Sequence, residues 1–142
     1  MNKLRIVPDT NILLISVSSR SKYHWIFQKI LDGDFDLYVT NEILAEYEEI
    51  IASKYNEVVA GNVLRALLKL PNIHRQTVYY RWNLIVGDPD DNKFADCAVS
   101  ANAHYLVSND KHFKVLNKIG FPKIEVLTME AFEAIFSTRQ SG

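Results

Sequence analysis

The sequence has 142 residues, 48% of them hydrophobic and 23% charged, with a formal net charge of −1. That length and balance fit one soluble globular domain with a real core. The near-zero charge gives no global pull toward nucleic acid, so any such binding must rest on a local patch. The single Cys97 excludes an internal disulfide and fits a reducing compartment. There is no basic segment leading into an apolar core at the start, and no apolar run long enough to span a bilayer. A cytoplasmic protein without a membrane partner is expected.

In chain order, Leu4 to Val7 reads as a short apolar strand broken at Pro8. Asp9-Thr10-Asn11 then turns into a helix beginning Ile12-Leu13-Leu14-Ile15. One cap residue would suffice there. Ser16 to Ser21 is a polar loop, followed by a helix through Trp25, Ile26, Ile30 and Leu31 that stops at Gly33. Phe35 to Val39 is the second strand. Thr40 caps a helix with Ile43, Leu44, Tyr47, Ile50 and Ile51 on one face. Glu46 sits at the edge of that stripe, and pattern alone leaves it undecided between a solvated charge and a site residue. Residues 55 to 70 form a further helix ending before Pro71. Residues 73 to 86 read as a connecting loop whose Tyr79, Tyr80 and Trp82 anchor it to the core.

Leu84 to Val86 reads as a short buried segment ending at Gly87. Asp88 stands at an N-cap with Pro89 at the first helical position, and Asp90 and Asp91 follow in the first turn. Helix initiation explains Asp88 and Asp90. Asp91 is different, because it extends the apolar stripe of Phe94, Cys97, Ala98 and Ala101. A carboxylate there must be hydrogen-bonded, paired or metal-bound. Asp96 lies about 140° around the helix from Asp91, on a side with small neighbours. Tyr105 to Val107 is a buried strand leading to Ser108-Asn109-Asp110. A helix through Val115, Leu116 and Ile119 ends at Gly120, Ile124 to Leu127 is the last strand, and Thr128 caps a closing helix. Residues 1–137 read as a single domain and 138–142 as a flexible tail.

Strands alternating with helices at this spacing predict an α/β fold, a three-layer α/β/α sandwich around a central, mostly parallel sheet. Ligand sites in such folds open at the carboxyl ends of the strands. Asp9 and Asp110 each stand just past a strand, and that repetition favours a functional reading of Asp9 over a cap. Acids gathered in a cleft repel one another unless cations bind them. Oxygen ligands without clustered His or Cys favour magnesium or manganese over zinc.

Four anchors in order carry a family likeness: Val7-Pro8-Asp9-Thr10-Asn11, Thr40-Asn41-Glu42-Ile43-Leu44-Ala45-Glu46, Asp88-Pro89-Asp90-Asp91-Asn92-Lys93-Phe94, and Leu106-Val107-Ser108-Asn109-Asp110-Lys111-His112-Phe113. With these anchors the chain resembles the PIN domain nucleases over nearly its whole length, in particular the small prokaryotic toxins of toxin–antitoxin pairs. The resemblance implies a metal-dependent endoribonuclease with Asp9, Glu46, Asp91 and Asp110 as the acidic quartet holding Mg2+ or Mn2+. It implies supporting roles for Asn11, Ser108 and Asp96, the last as a secondary ligand or an outer group. An antitoxin partner and a homodimer are common among similar proteins.

The RNA backbone needs cations. Lys111, His112, Lys114, Lys118 and Lys123 begin directly after Asp110, and Arg20, Lys22 and His24 form a second basic stretch. Such runs are usually solvated faces, and His112 or His24 as a general base is disfavoured. The main rival is a PIN fold retained as a binding module for an antitoxin or RNA complex, with weak or no cleavage. A receiver-type phosphoacceptor domain would need an acid pair after the first strand, where Asp9 stands alone. A haloacid-dehalogenase-type phosphatase would need an acid where Asn11 stands.

Overall fold

Ile6 and Val7 are adjacent on the first strand, so they face opposite sides of the sheet, yet both are fully buried. Both faces of that strand are therefore covered, which is the condition for an all-parallel sheet between helical layers. The computed structural model describes residues 3–141 and has this architecture. Its elements are β1 (Leu4–Pro8), α1 (Thr10–Val17), α2 (His24–Asp32), β2 (Phe35–Val39), α3 (Asn41–Lys54), α4 (Glu57–Leu68), β3 (Ile73–Arg75), α5 (Asn92–Ser100), β4 (Tyr105–Val107), β5 (Val126–Leu127) and α6 (Met129–Ser141). Two 3-10 segments, Pro89–Asp91 and Lys111–Lys118, flank α5 and β4.

The five strands are parallel in the order β3-β2-β1-β4-β5. The chain winds outward from β1 to β3, then returns to β4, so the order reverses between β1 and β4. A receiver domain has the order 2-1-3-4-5, and the topology excludes that alternative. Phe35 on β2 meets Phe132 and Phe136 of α6 with ring centroids 5.2 and 4.7 Å apart, and Trp25 of α2 stacks on Phe136. Capping follows the expected chemistry. Thr40 accepts from Ile43 N–H, and Gly33 closes α2 at φ 82°, a conformation that favours glycine.

Several elements depart from the sequence pattern. The edge strand β3 forms within the stretch expected to be a loop. It is only three residues long and has no alternation to betray it. The aromatics after it do not anchor to the core: Tyr79 is 93% and Tyr80 64% exposed. Polar bonds to α5 hold this segment instead. Trp82 N–H donates to Asp96 Oδ1 at 3.1 Å, and Asn92 accepts from Ile85 N–H and donates to Ile85 O. Of the supposed buried run Leu84 to Val86, Ile85 is buried and Val86 is 87% exposed. The segment after Asp110 is a 3-10 helix, and the last strand keeps only Val126–Leu127. α6 continues through Ser141, past the expected tail boundary, with Thr138 Oγ1 donating to Ala134 O and no breaker before Gly142. Gly142 lies outside the described residues.

Candidate active site

Asp9 and Asp110 arrive at the sheet's switch point because Asp9 directly follows β1 and Asp110 follows β4 after Ser108 and Asn109. Asp9 N–H donates to Val107 O at 3.0 Å, locking the end of β1 to β4. The carboxylate caps α1 by accepting from Ile12 N–H at 2.9 Å through Oδ1, while Oδ2 accepts from Ser108 Oγ. The Ser108 hydroxyl also accepts from Asp110 N–H at 3.0 Å, so one side chain braces both acids. Burial pushes the Asp9 carboxyl up. The Ser108 and Ile12 hydrogen bonds oppose this, and the charges of Asp110 and Glu46 add to it.

Glu46 reaches the same place from α3. Thr10 Oγ1, on the first turn of α1, donates to Glu46 Oε2, and Lys93 Nζ lies 2.6 Å from Oε1. Lys93 also bridges Asp90 at 3.0 Å. Burial lowers the Lys93 pKa, but the bonds to Glu46 and Asp90 carry it above its usual value. Behind them, Tyr47 OH donates to Pro8 O at 2.6 Å and fixes the end of β1.

Asp91 closes the cluster from the N-terminus of α5. Its Oδ2 is buried and has no hydrogen-bond partner among the described residues. Burial first, then the charges of Asp88, Asp110, Asp9 and Glu46, push its pKa to about 6. Asp9, Glu46 and Asp110 thus act on Asp91 electrostatically, with Asp88 as a fourth acid. On its outer side, ligand atoms of Asp88, Asp91 and His112 lie within 4.8 Å of one another. The His112 ring also faces Asp110 Oδ1 at 3.2 Å.

The donor set suits a hard divalent cation: carboxylate oxygens from four elements, one of them buried without a partner, and an imidazole at the rim. Other expected residues lie elsewhere. Asn11 is exposed, and the contact to the acids from α1 comes from Thr10. Asp96 is 3% exposed, and the charges that act on it are Arg81 and Glu42, not the quartet. Burial raises its pKa against the Trp82 N–H bond and the Arg81 charge. Arg20, Lys22, Lys111 and Lys114 are exposed. Lys114 and Lys118 line a hollow that Ser108 also borders. Thr10 and Lys93 were missed by sequence reasoning. The signal for Lys93 is its place three residues after Asp90, the spacing of a helical ion pair.

A sequence model of the PIN domain matches residues 5–112, a stretch that contains every acid of the cluster. Comparison with curated proteins finds no match. Among solved structures, the chain is similar to VapBC2 from Rickettsia felis bound to a DNA fragment from its promoter, at 16% identity and TM-score 0.59 over 88% of this chain and 98% of that one. It is similar to Mycobacterium tuberculosis VapC20, a sarcin–ricin loop cleaving toxin, at 13% identity and TM-score 0.59, over 84% and 98%. The T. brucei RRP44 PIN domain gives 13% identity and TM-score 0.56, over 99% and 84%. At these identities the structural likeness is one of fold. The match of the family's sequence pattern across three-quarters of the chain goes further: this protein belongs to the PIN domain family.

Proposed function

We propose that the protein is a divalent-metal-dependent endoribonuclease, and that it acts as the toxin of a toxin–antitoxin pair. The observation that carries this reading is the buried, unpartnered Asp91 Oδ2 among Asp9, Glu46 and Asp110. Repulsion of that kind is offset by a bound cation. Asp9, Asp91 and Asp110 would hold Mg2+ or Mn2+, with Glu46 as a further ligand. When bound, the ion supplies charge neutralisation at phosphate and lowers the pKa of water.

The chain's own residues supply the rest. Ser108 and Ile12 N–H hold Asp9 in one rotamer, and Thr10 orients Glu46, so the carboxylates are preorganised. Lys93 balances the charges of Glu46 and Asp90. Lys114 and Lys118, beside Ser108, together with Lys111 and His112, form the cationic rim for the RNA backbone, with Arg20 and Lys22 as a second, outlying contact. The VapBC2 assembly supports a protein antitoxin as partner, and the likeness to VapC20, a sarcin–ricin loop cleaving toxin, supports RNA as substrate.

The test is cleavage of a mixed-sequence single-stranded RNA by wild type and Asp91→Asn in magnesium or manganese. Cleavage that chelator and the substitution both reduce by at least a hundredfold is the expected result. Intact RNA in either metal would move the reading to a binding module.

A further inference from the structure

The acidic cluster occupies the carboxyl ends of β1 and β4. A second recess opens on the same edge of the sheet, at the carboxyl ends of β2 and β3. It is a cavity of about 170 Å³ lined by residues including Thr40, Gln76, Val78, Arg81, Lys93 and Asp96. Thr40 follows β2 directly and Gln76 follows β3, with Gln76 N–H donating to Val39 O at 2.7 Å. Two strand spacings separate this recess from the acids, roughly 10 Å. Lys93 joins them, since it lines the recess and its Nζ lies 2.6 Å from Glu46.

The volume is below the ~300–1,000 Å³ of sites for drug-sized ligands, which suits one planar ring system. Charge excludes a phosphate as the natural occupant. Both cations are already paired, Arg81 with Glu42 at 3.2 Å and Lys93 with Glu46 and Asp90, and Glu42 and Asp96 add carboxylates to the lining. Asp96 is the more buried of the two lining carboxylates. It is 97% buried, and Trp82 N–H bonds its Oδ1, which leaves Oδ2 as an acceptor among the described residues. The wall segment is tied at its start, where Gln76 N–H donates to Val39 O and Gln76 Oε1 accepts from Ser100 Oγ at 3.3 Å, and just past its end, where Trp82 N–H donates to Asp96.

We infer that this recess is the subsite for the nucleobase adjoining the scissile phosphate, and that it selects a base carrying an exocyclic amino group. The inference rests on the ribonuclease reading above. A carboxylate accepts from the N4 amino group of cytosine. Uracil differs from cytosine there by presenting a carbonyl oxygen, which a carboxylate repels. Uracil also carries an N3–H donor where cytosine N3 is an acceptor, so two bases of the same ring size present opposite edges, and a preference for cytosine reports that Asp96 meets the C4 position.

The experiment measures kcat/KM for labelled C12 and U12 RNA with wild type, Asp96→Asn and Val78→Trp, each checked for folding by thermal melting. Asn at this position keeps an acceptor for Trp82 N–H and replaces the second oxygen with a donor. Wild type should prefer C12 about tenfold. Asp96→Asn should bring the ratio below two or reverse it. Val78→Trp, which fills the recess without touching the acids, should erase the preference mainly through KM on C12. Equal cleavage of C12 and U12 by wild type, or a ratio unchanged in both variants, overturns the subsite and leaves the nuclease standing. No cleavage of these or of mixed-sequence RNA overturns both.

Discussion

A carboxylate oxygen buried without a donor is destabilising for the folded chain, and Asp91 bears that cost at the mouth of the sheet. Its pKa of about 6 has a definite sign. The folded protein keeps the proton at pH values where the unfolded chain, near the ordinary carboxylate value, has lost it. Stability of the metal-free protein from this group is therefore highest below about pH 4 and falls as pH rises toward 6. Metal binding competes with the same proton, so apparent affinity for Mn2+ should rise about tenfold per pH unit below 6 and level off above it. Calorimetric titrations from pH 5 to 8 would read this directly, and a flat profile would contradict it. Lys93 makes the opposite contribution. Lys93→Met should lower metal-free stability by about 1–3 kcal/mol by stranding Glu46, yet tighten Mn2+ binding by removing a competing ammonium. Parallel urea melts with and without metal test both halves.

At the scale of elements, the site depends on how strand ends are tied together. Ser108 links β4 to Asp9 and to the Asp110 backbone, so Ser108→Ala should destabilise by about 1–3 kcal/mol in urea denaturation. The core element to compare is β2: Phe35→Ala removes a fully buried ring from between Phe132 and Phe136 and should cost about 3–5 kcal/mol. Tyr79→Ser, at an exposed ring, should move the melting temperature negligibly. That contrast also marks where sequence was legible. β2, α2 with its glycine stop and the Thr40 cap follow from periodicity and turn chemistry, because apolar alternation and caps are local signals. The segment from Gln76 to Gly87 was not legible, because Asn92 and Asp96 hold its backbone through long-range polar bonds that leave no pattern among its own residues.

For the molecule as a whole, the reversal of strand order between β1 and β4 turns scattered acids into a cluster. Asp9 and Asp110 could be placed there from sequence, since each follows a strand. Glu46 could not, since its position at the edge of a helical stripe is ambiguous until α3 packs beside α1 and Thr10 meets it. Asp96 lines the neighbouring recess, where Arg81 and Glu42 are its charged neighbours. Together the four carboxylates are expected to bind a divalent cation, and isothermal calorimetry of Mn2+ at pH 7.5 with wild type and Asp91→Asn measures this. Saturable binding in wild type that weakens at least tenfold in Asp91→Asn, with the variant's melting temperature preserved or raised in chelator, is the expected result. Equal binding by both proteins, or none by wild type, would contradict it.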